Sequence, residues 1–86
     1  MEKILSTEEM VQKLVTESTT RASRFAMLKV GKWVEIRVDL DSTGNVVEVS
    51  WPSIGSQPAN QAAFFANELL VAAEVAAETD KRLKAR

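Results

Sequence analysis

Apolar and polar residues alternate along the chain with two periods, one typical of helices and one typical of strands. Near the amino end, Ser6 precedes Glu9 by three residues, which is the spacing of a capping box at the start of a helix. Val11 and Leu14 then continue an apolar face at helical spacing. This pattern predicts a first helix over about residues 7–20.

The middle of the chain alternates with period two, which predicts three strands over about residues 24–30, 33–40 and 46–51. A connection of even length around Gly44 keeps the apolar sets of the second and third strands on one face of the sheet. The resulting pairing sets Leu40 opposite Val47, Val38 opposite Val49 and Ile36 opposite Trp51.

Gly31 is a candidate first residue of a two-residue hairpin turn between the first two strands. Such a turn pairs Val30 with Trp33 and places Phe25 and Met27 on the inner face of the sheet. The alternative is a first helix that continues to about residue 29, because further apolar residues extend its stripe. The agreement of the strand faces favours the hairpin.

Apolar residues surround most of the last predicted helix, over about residues 58–83. One row consists of Phe65, Leu69, Ala72 and Ala76, a second of Phe64, Val71 and Val75, and between them lie Ala63, Ala66, Leu70, Ala73 and Ala77. One row can pack on the sheet, but a first helix of about 14 residues is too short to cover the others. We therefore expect a second copy of the chain, with Phe64, Leu70, Val71 and Val75 in the dimer interface. The alternative is a monomer in which the first helix alone covers these rows.

These elements predict an α+β fold: an antiparallel three-stranded meander with both helices on one face, in the order αβββα, as a single domain over residues 1–86. A chain of 86 residues has a marginal core unless something reinforces it. It has no Cys and no His, which removes disulfides and the common zinc sites. Association into a homodimer is the remaining reinforcement.

Charge and hydropathy exclude some classes of partner. The formal net charge is −1 and the pI is near 5.4, so nothing global draws the chain to nucleic acid or to anionic lipid. The amino end lacks the features of a secretory signal, and the longest uncharged run contains two prolines. We expect a cytoplasmic protein with no membrane contact.

The candidate chemistry is sparse. Without His, Cys or Tyr, the general bases and nucleophiles that remain are few. Ser53 lacks the flanking glycines of a hydrolase nucleophile, and no phosphate-binding loop is present. We expect no enzymatic activity and no cofactor.

One motif resembles the start of a calcium-binding loop. Asp39, Asp41, Thr43 and Gly44 match its opening, but Ser50 stands where the bidentate acid should lie. Strands rather than helices flank the segment. A polar hairpin turn is the favoured interpretation, and no metal site is predicted.

Two surfaces are candidate binding sites. Strand alternation places an apolar patch on the outer face of the sheet, formed by Leu28, Val30, Trp33 and Val46. This patch could bind another protein, lie in the homodimer interface, or simply flank the sheet edge. The second candidate is a basic segment with interleaved aromatic residues, which suits nucleic acid; its members are Arg21, Arg24, Lys29, Lys32 and Arg37.

The element order is similar to that of the YbaB group of small dimeric nucleoid proteins. The stretch "GKWVEIRVDLDSTGNVVEVSWPSI" resembles the glycine-led meander of that group, although Gly31 replaces its glycine-rich run. The stretch "VDLDSTGNVVEVSWPSIGSQPANQAA" is also similar to the hairpin-to-helix corner of TonB and TolA C-terminal domains, whose closing strand is missing here. Neither resemblance transfers a function or a residue.

The sequence thus favours a non-catalytic protein-binding module, an adaptor or an inhibitor that covers a surface of an unidentified partner. By analogy, such a short chain without Cys suits phage or mobile-element proteins that act on host factors. The alternative is a dimeric nucleic-acid-binding protein that uses the basic segment 21–37.

Overall fold

A computed structural model of the chain describes residues 5–41 and 46–85. Two helices, α1 and α2, flank three strands, β1 to β3. Their bounds are α1 Thr7–Thr20, β1 Phe25–Val30, β2 Val34–Asp39, β3 Val46–Ser50 and α2 Ala59–Lys84. The strands form one antiparallel sheet in the order β1-β2-β3. The predicted αβββα meander is confirmed.

The start of α1 is the predicted capping box. The Ser6 hydroxyl accepts a hydrogen bond from the Glu9 N–H at 3.1 Å, and the Glu9 carboxylate accepts one from the Ser6 N–H at 2.9 Å. The helix ends at Thr20, so the alternative of a helix continuing to about residue 29 is wrong. Arg24 adopts a φ of 53° and its carbonyl accepts the Leu40 N–H at 2.9 Å, which begins the sheet.

The core lies between one face of the sheet, here called the inner face, and the two helices. Its buried apolar side chains are Val11, Leu14, Ala26, Val30, Val34, Ile36, Val38, Leu40, Ala72, Val75 and Ala76. Ser18 and Thr79 are also fully buried. Each hydroxyl donates to a carbonyl one turn earlier in its own helix at 2.7 Å, which avoids the cost of an unpaired buried polar group.

The hairpin between β1 and β2 differs from the prediction by one residue. Val30 pairs with Val34, not with Trp33, so the turn has three residues, Gly31–Trp33. The shift turns Phe25 and Met27 to the outer face, because moving a register by one residue exchanges the two faces. The predicted two-residue turn would also have buried a charge. Lys29 lies on the same strand face as Phe25 and Met27, so it would have been turned inward with them.

The pairing of β2 with β3 differs from the prediction by two residues. Val38 pairs with Val47 and Ile36 with Val49. An even shift preserves the faces, so the third strand still turns its valines inward as predicted. Trp51 no longer pairs with Ile36; it follows the end of β3 and is 54% exposed, so its predicted inner position is wrong.

The two helices meet near the two ends of the described chain. Arg82 in the last turns of α2 donates two hydrogen bonds to the Glu8 carboxylate in the first turn of α1, at 2.7 and 2.6 Å. These bonds lower the pKa of the Glu8 carboxyl below its ordinary value and raise the pKa of Arg82. The pair is exposed at the surface, where it joins the first helix to the last.

Candidate functional site

The face of the sheet that is turned away from the helices, called the outer face, is a mixed apolar and charged surface. It carries Phe25, Met27 and Lys29 from β1, Glu35, Arg37 and Asp39 from β2, and Val46, Glu48 and Ser50 from β3. Met27 is 47% exposed and Val46 is 37% exposed. Both side chains are therefore partly open to solvent.

Arg37 lies at the centre of this face, between Met27 on β1 and Glu48 on β3. Its guanidinium carbon lies 5.8 Å from the centre of the Phe25 ring, a distance at which a cation attracts an aromatic face. A cleft of about 240 Å³ on this face is lined by Phe25, Arg37, Asp39, Val46 and Glu48, but not by Met27. Apolar and charged groups therefore alternate across the outer face.

The turn at Gly31–Trp33 is fixed by a carboxylate from α2. Glu68 accepts the backbone N–H of Lys32 at 3.0 Å and that of Trp33 at 2.9 Å. The Trp33 ring packs edge-to-face against Phe65, with 6.1 Å between the ring centres and 89° between the planes. Gly31 has a φ of 73°, and a Cβ there would overlap the Glu68 carboxylate. The turn and α2 thus lock Trp33 in one position.

Beside this turn lies a groove of about 400 Å³, here called the tryptophan groove. Its lining residues are Lys29, Lys32, Trp33, Glu35, Ser50, Trp51 and Pro52. Trp33 precedes β2 and Trp51 follows β3, and these two ends of antiparallel strands lie at the same end of the sheet. Both tryptophans of the chain therefore contribute to one site.

The groove has an excess of positive charge. Lys29 and Lys32 are exposed, and among residues 5–41 and 46–85 neither ammonium lies within 4.0 Å of a carboxylate oxygen. The Lys32 ammonium lies 5.4 Å from the centre of the Trp33 ring. Glu35 accepts a hydrogen bond from the Ser50 hydroxyl at 3.5 Å. The site therefore contains two lysine ammonium groups, two indole rings and one carboxylate that is hydrogen-bonded to Ser50.

The structure does not bring the predicted partner patch together. Val30 is buried on the inner face and Leu28 is half-buried on the same side, so their predicted outer position is wrong. Trp33 lines the tryptophan groove and Val46 lies on the outer face near the far end of the sheet. The three-residue turn is the cause, because it exchanges the faces of β1.

The predicted dimer residues are divided between surface and core. Phe64 is 66% exposed and Leu70 is 59% exposed, whereas Val71 is half-buried. Val75 is fully buried in the chain's own core, so its predicted place in the interface is wrong. It lies one turn from Ala72 and Thr79, which also face the core. The exposed side of α2 forms a helix stripe of Ala63, Ala66, Leu70, Ala73 and Ala77.

The five predicted basic residues are dispersed. Arg21 follows α1 and pairs with Glu17 at 3.1 Å, and Arg24 pairs with Asp41 at 3.2 Å. Lys29 and Arg37 lie on the outer face, and Lys32 lies in the turn. The outer face also carries Glu35, Asp39 and Glu48. The basic side chains therefore do not form one continuous positive surface.

The calcium-like motif falls partly outside the described residues, because Thr43 and Gly44 are among residues 42–45. Of its other members, Asp39 accepts the Asp41 N–H at 3.0 Å, and Asp41 pairs with Arg24. Among the residues that the structure describes, no group of three or more metal-ligating side chains comes together.

The sequence prediction missed the tryptophan groove and Glu68. A signal for the groove was available, because Trp33 and Trp51 bracket two strands that form a hairpin. No local signal marks Glu68, since its partners are 35 and 36 residues away along the chain.

Neither helix of the described chain combines the length and the hydropathy needed to cross a membrane. Comparison with protein families, with curated proteins and with solved structures gives no match.

The candidate surfaces of the molecule are the outer face, the tryptophan groove at its end, and the helix stripe on the opposite layer.

Proposed function

We propose that this protein is a small non-catalytic binding module, an adaptor or inhibitor that covers a surface of a partner protein with its outer face. The observation that carries the proposal is the composition of that face. Met, Phe, Trp and Arg are the residue types enriched at protein interfaces. Met27, Phe25 and Arg37 occur together on this face, and Trp51 lies in the groove at its end. A cytoplasmic partner suits a chain without Cys.

The proposal includes self-association through the helix stripe on α2. The stripe residues follow each other at intervals of three and four, which is the spacing of a helix–helix seam. Alanines at this spacing allow two helix backbones to approach closely, and Leu70 and Phe64 supply the apolar area. Glu74 is the one charged residue among the exposed positions of the described segment 59–77.

The two proposed contacts are compatible with each other, because the helix stripe and the outer face lie on opposite layers of the fold. We infer that two copies pack through their helix stripes and leave their outer faces free for partners.

Two substitutions on opposite layers test the proposal. Met27→Glu alters the outer face and Leu70→Glu alters the helix stripe, and both residues are about half exposed. In pull-down from the native host, we expect Met27→Glu to lose a partner protein that the wild type captures. Leu70→Glu should still retain that partner but sediment as a monomer in analytical ultracentrifugation.

Three outcomes would contradict the proposal. Equal capture by the wild type and by Met27→Glu would remove the outer face from partner binding. A wild type that sediments as a monomer at micromolar concentration would remove the dimer. Binding of duplex DNA at about 50 mM salt that is lost by about 200 mM would instead support the nucleic-acid alternative.

A further inference from the structure

One wall of the tryptophan groove is formed by Trp33, whose backbone and ring both have partners within the chain. The Trp33 backbone N–H is bonded to Glu68 and the ring packs against Phe65. A side chain that is already fixed loses little conformational entropy when a ligand contacts it. Trp33 therefore provides a preformed contact surface.

The other wall is a large apolar side chain that still faces water. Trp51 is 54% exposed, and Pro52 follows it without a backbone donor. An indole ring gains from burial against an apolar or aromatic group. An apolar side chain that packs in the groove can thus contact both Trp33 and Trp51.

The charges of the groove select the sign of the ligand. Lys29 and Lys32 have no carboxylate within ion-pair distance among the described residues, whereas Glu35 is bonded to Ser50. The net charge of the site is positive although that of the whole chain is −1. A complementary ligand carries negative charge beside its apolar group.

The size of the groove favours a short segment. Its volume of about 400 Å³ lies near the lower end of ligand sites, which hold roughly 300–1,000 Å³. A strand of nucleic acid requires a positive path along several phosphates. Beyond the groove the outer face presents Asp39 and Glu48, which would repel such a backbone.

We propose that the tryptophan groove binds a short acidic peptide segment, in which an apolar or aromatic side chain between two carboxylates inserts between Trp33 and Trp51 while Lys29 and Lys32 pair with the carboxylates. This inference rests on the proposed function and names the chemistry of the partner segment at one end of the outer face.

Isothermal titration calorimetry with synthetic peptides tests the inference on the full chain. The probe is a soluble peptide with one tryptophan between two pairs of aspartates, and the control peptide has lysines in place of the aspartates. We expect the acidic peptide to bind and the basic one not to bind. Affinity for the acidic peptide should fall as the salt concentration rises, because exposed charges are screened.

Substitutions in the groove locate the binding. Trp51→Ala should weaken the acidic peptide roughly tenfold or more, as expected for an aromatic anchor. Lys29→Gln and Lys32→Gln should each weaken it roughly two- to fivefold, the range of an exposed ion pair. Lys81→Gln, at an exposed position on α2, is the matched control and should leave affinity unchanged. Thermal midpoints check that each variant folds.

Four results would overturn the inference. They are the absence of binding of the acidic peptide at about 1 mM, which corresponds to only about −4 kcal/mol, equal binding of the basic peptide, equal weakening by Lys81→Gln, and tighter binding of a single-stranded oligonucleotide that displaces the peptide. Failure here is distinguishable from failure of the proposed function. If Met27→Glu loses the host partner while Trp51→Ala retains it, the outer face binds a protein without using the groove.

Discussion

At the scale of single residues, the turn between β1 and β2 depends on Gly31 and Glu68. Gly31 supplies the positive φ that the three-residue turn requires, and it leaves the space that the Glu68 carboxylate occupies. That carboxylate in turn satisfies two backbone N–H groups of the turn. The contact holds the turn that accompanies the observed register and places Trp33 beside Phe65.

Gly31→Ala should therefore destabilise the fold. We expect the free energy of unfolding to fall by about 1–2 kcal/mol, from the left-handed backbone alone, with a further loss as Glu68 moves away. Gly55→Ala is the control, because a Cβ there meets nothing within 4 Å, and it should be neutral or stabilising by up to about 1 kcal/mol. Urea denaturation measures both. Equal losses at the two positions would contradict this account of the turn.

The same turn marks the limit of what the sequence predicts at this scale. The capping box of Ser6 and Glu9 was predictable, because both partners lie within one turn of chain. The turn length was not predicted correctly, and the carboxylate that bonds the turn comes from α2, far along the chain. Lys29 lies on the same strand face as Phe25 and Met27. This was the one local indication that a two-residue turn, which turns that face inward, would bury a charge.

At the scale of elements, α2 has one face in the core and another in solvent along the same helix. Ala72, Val75, Ala76 and Thr79 are buried, at the spacing of one helical face. Leu70, only five residues before Val75, is 59% exposed. One face of the helix thus covers the core of its own subunit, and in our proposal the other face contacts a second copy of the chain.

Val75→Ala and Leu70→Ala separate these two roles. At a concentration where subunits are separate, Val75→Ala should lower the free energy of unfolding by about 2–3 kcal/mol, because it leaves a cavity in the core. Leu70→Ala should change it by less than about 0.5 kcal/mol. Chemical denaturation at nanomolar concentration, where a dimer of micromolar stability dissociates, gives both values. A large loss from Leu70→Ala under these conditions would show that the residue stabilises the single subunit.

The sequence indicated the existence of α2 and one of its buried rows, but not the whole buried face. Phe65, Leu69, Ala72 and Ala76 were predicted as one apolar row of the helix, and the structure packs this row in or against the core. Val75 was assigned to the wrong side. Alanines surround the helix, so composition does not distinguish the core side from the exposed side.

At the scale of the whole molecule, the Glu8–Arg82 pair joins the first turn of α1 to the last turns of α2. It links residues that are 74 positions apart, and its two bonds share one guanidinium. Because the bonds lower the pKa of the Glu8 carboxyl, its charged form is favoured in the folded state. The pair therefore makes stability depend on pH.

We expect the stabilising contribution of Glu8 to be present above its unfolded pKa and to be lost as the pH falls through its lowered folded value. The difference in free energy of unfolding between the wild type and Glu8→Gln should be largest near neutral pH and should shrink in acid. Glu74→Gln, which also removes one negative charge from an exposed position, is the control. A difference that stays constant from neutral to acid pH would contradict this prediction.

The topology of the molecule was predictable and its surfaces were not. Period-two and helical patterns sufficed to predict the order αβββα, because each helix and strand has a recognisable hydrophobic pattern within its own segment. The binding surfaces depend on strand register and on which helix face meets the sheet. Both involve contacts between residues far apart in the chain, such as that of Glu68 with Trp33.

The position of Trp33 and Trp51 has a practical consequence. These are the two tryptophans of the chain, which has no tyrosine, and both line the same groove. The intrinsic fluorescence of the protein therefore arises from one corner of the molecule. The intensity and wavelength of this emission depend on the solvent exposure of the two indole rings. Ligand binding in the tryptophan groove can therefore be followed without attaching a label.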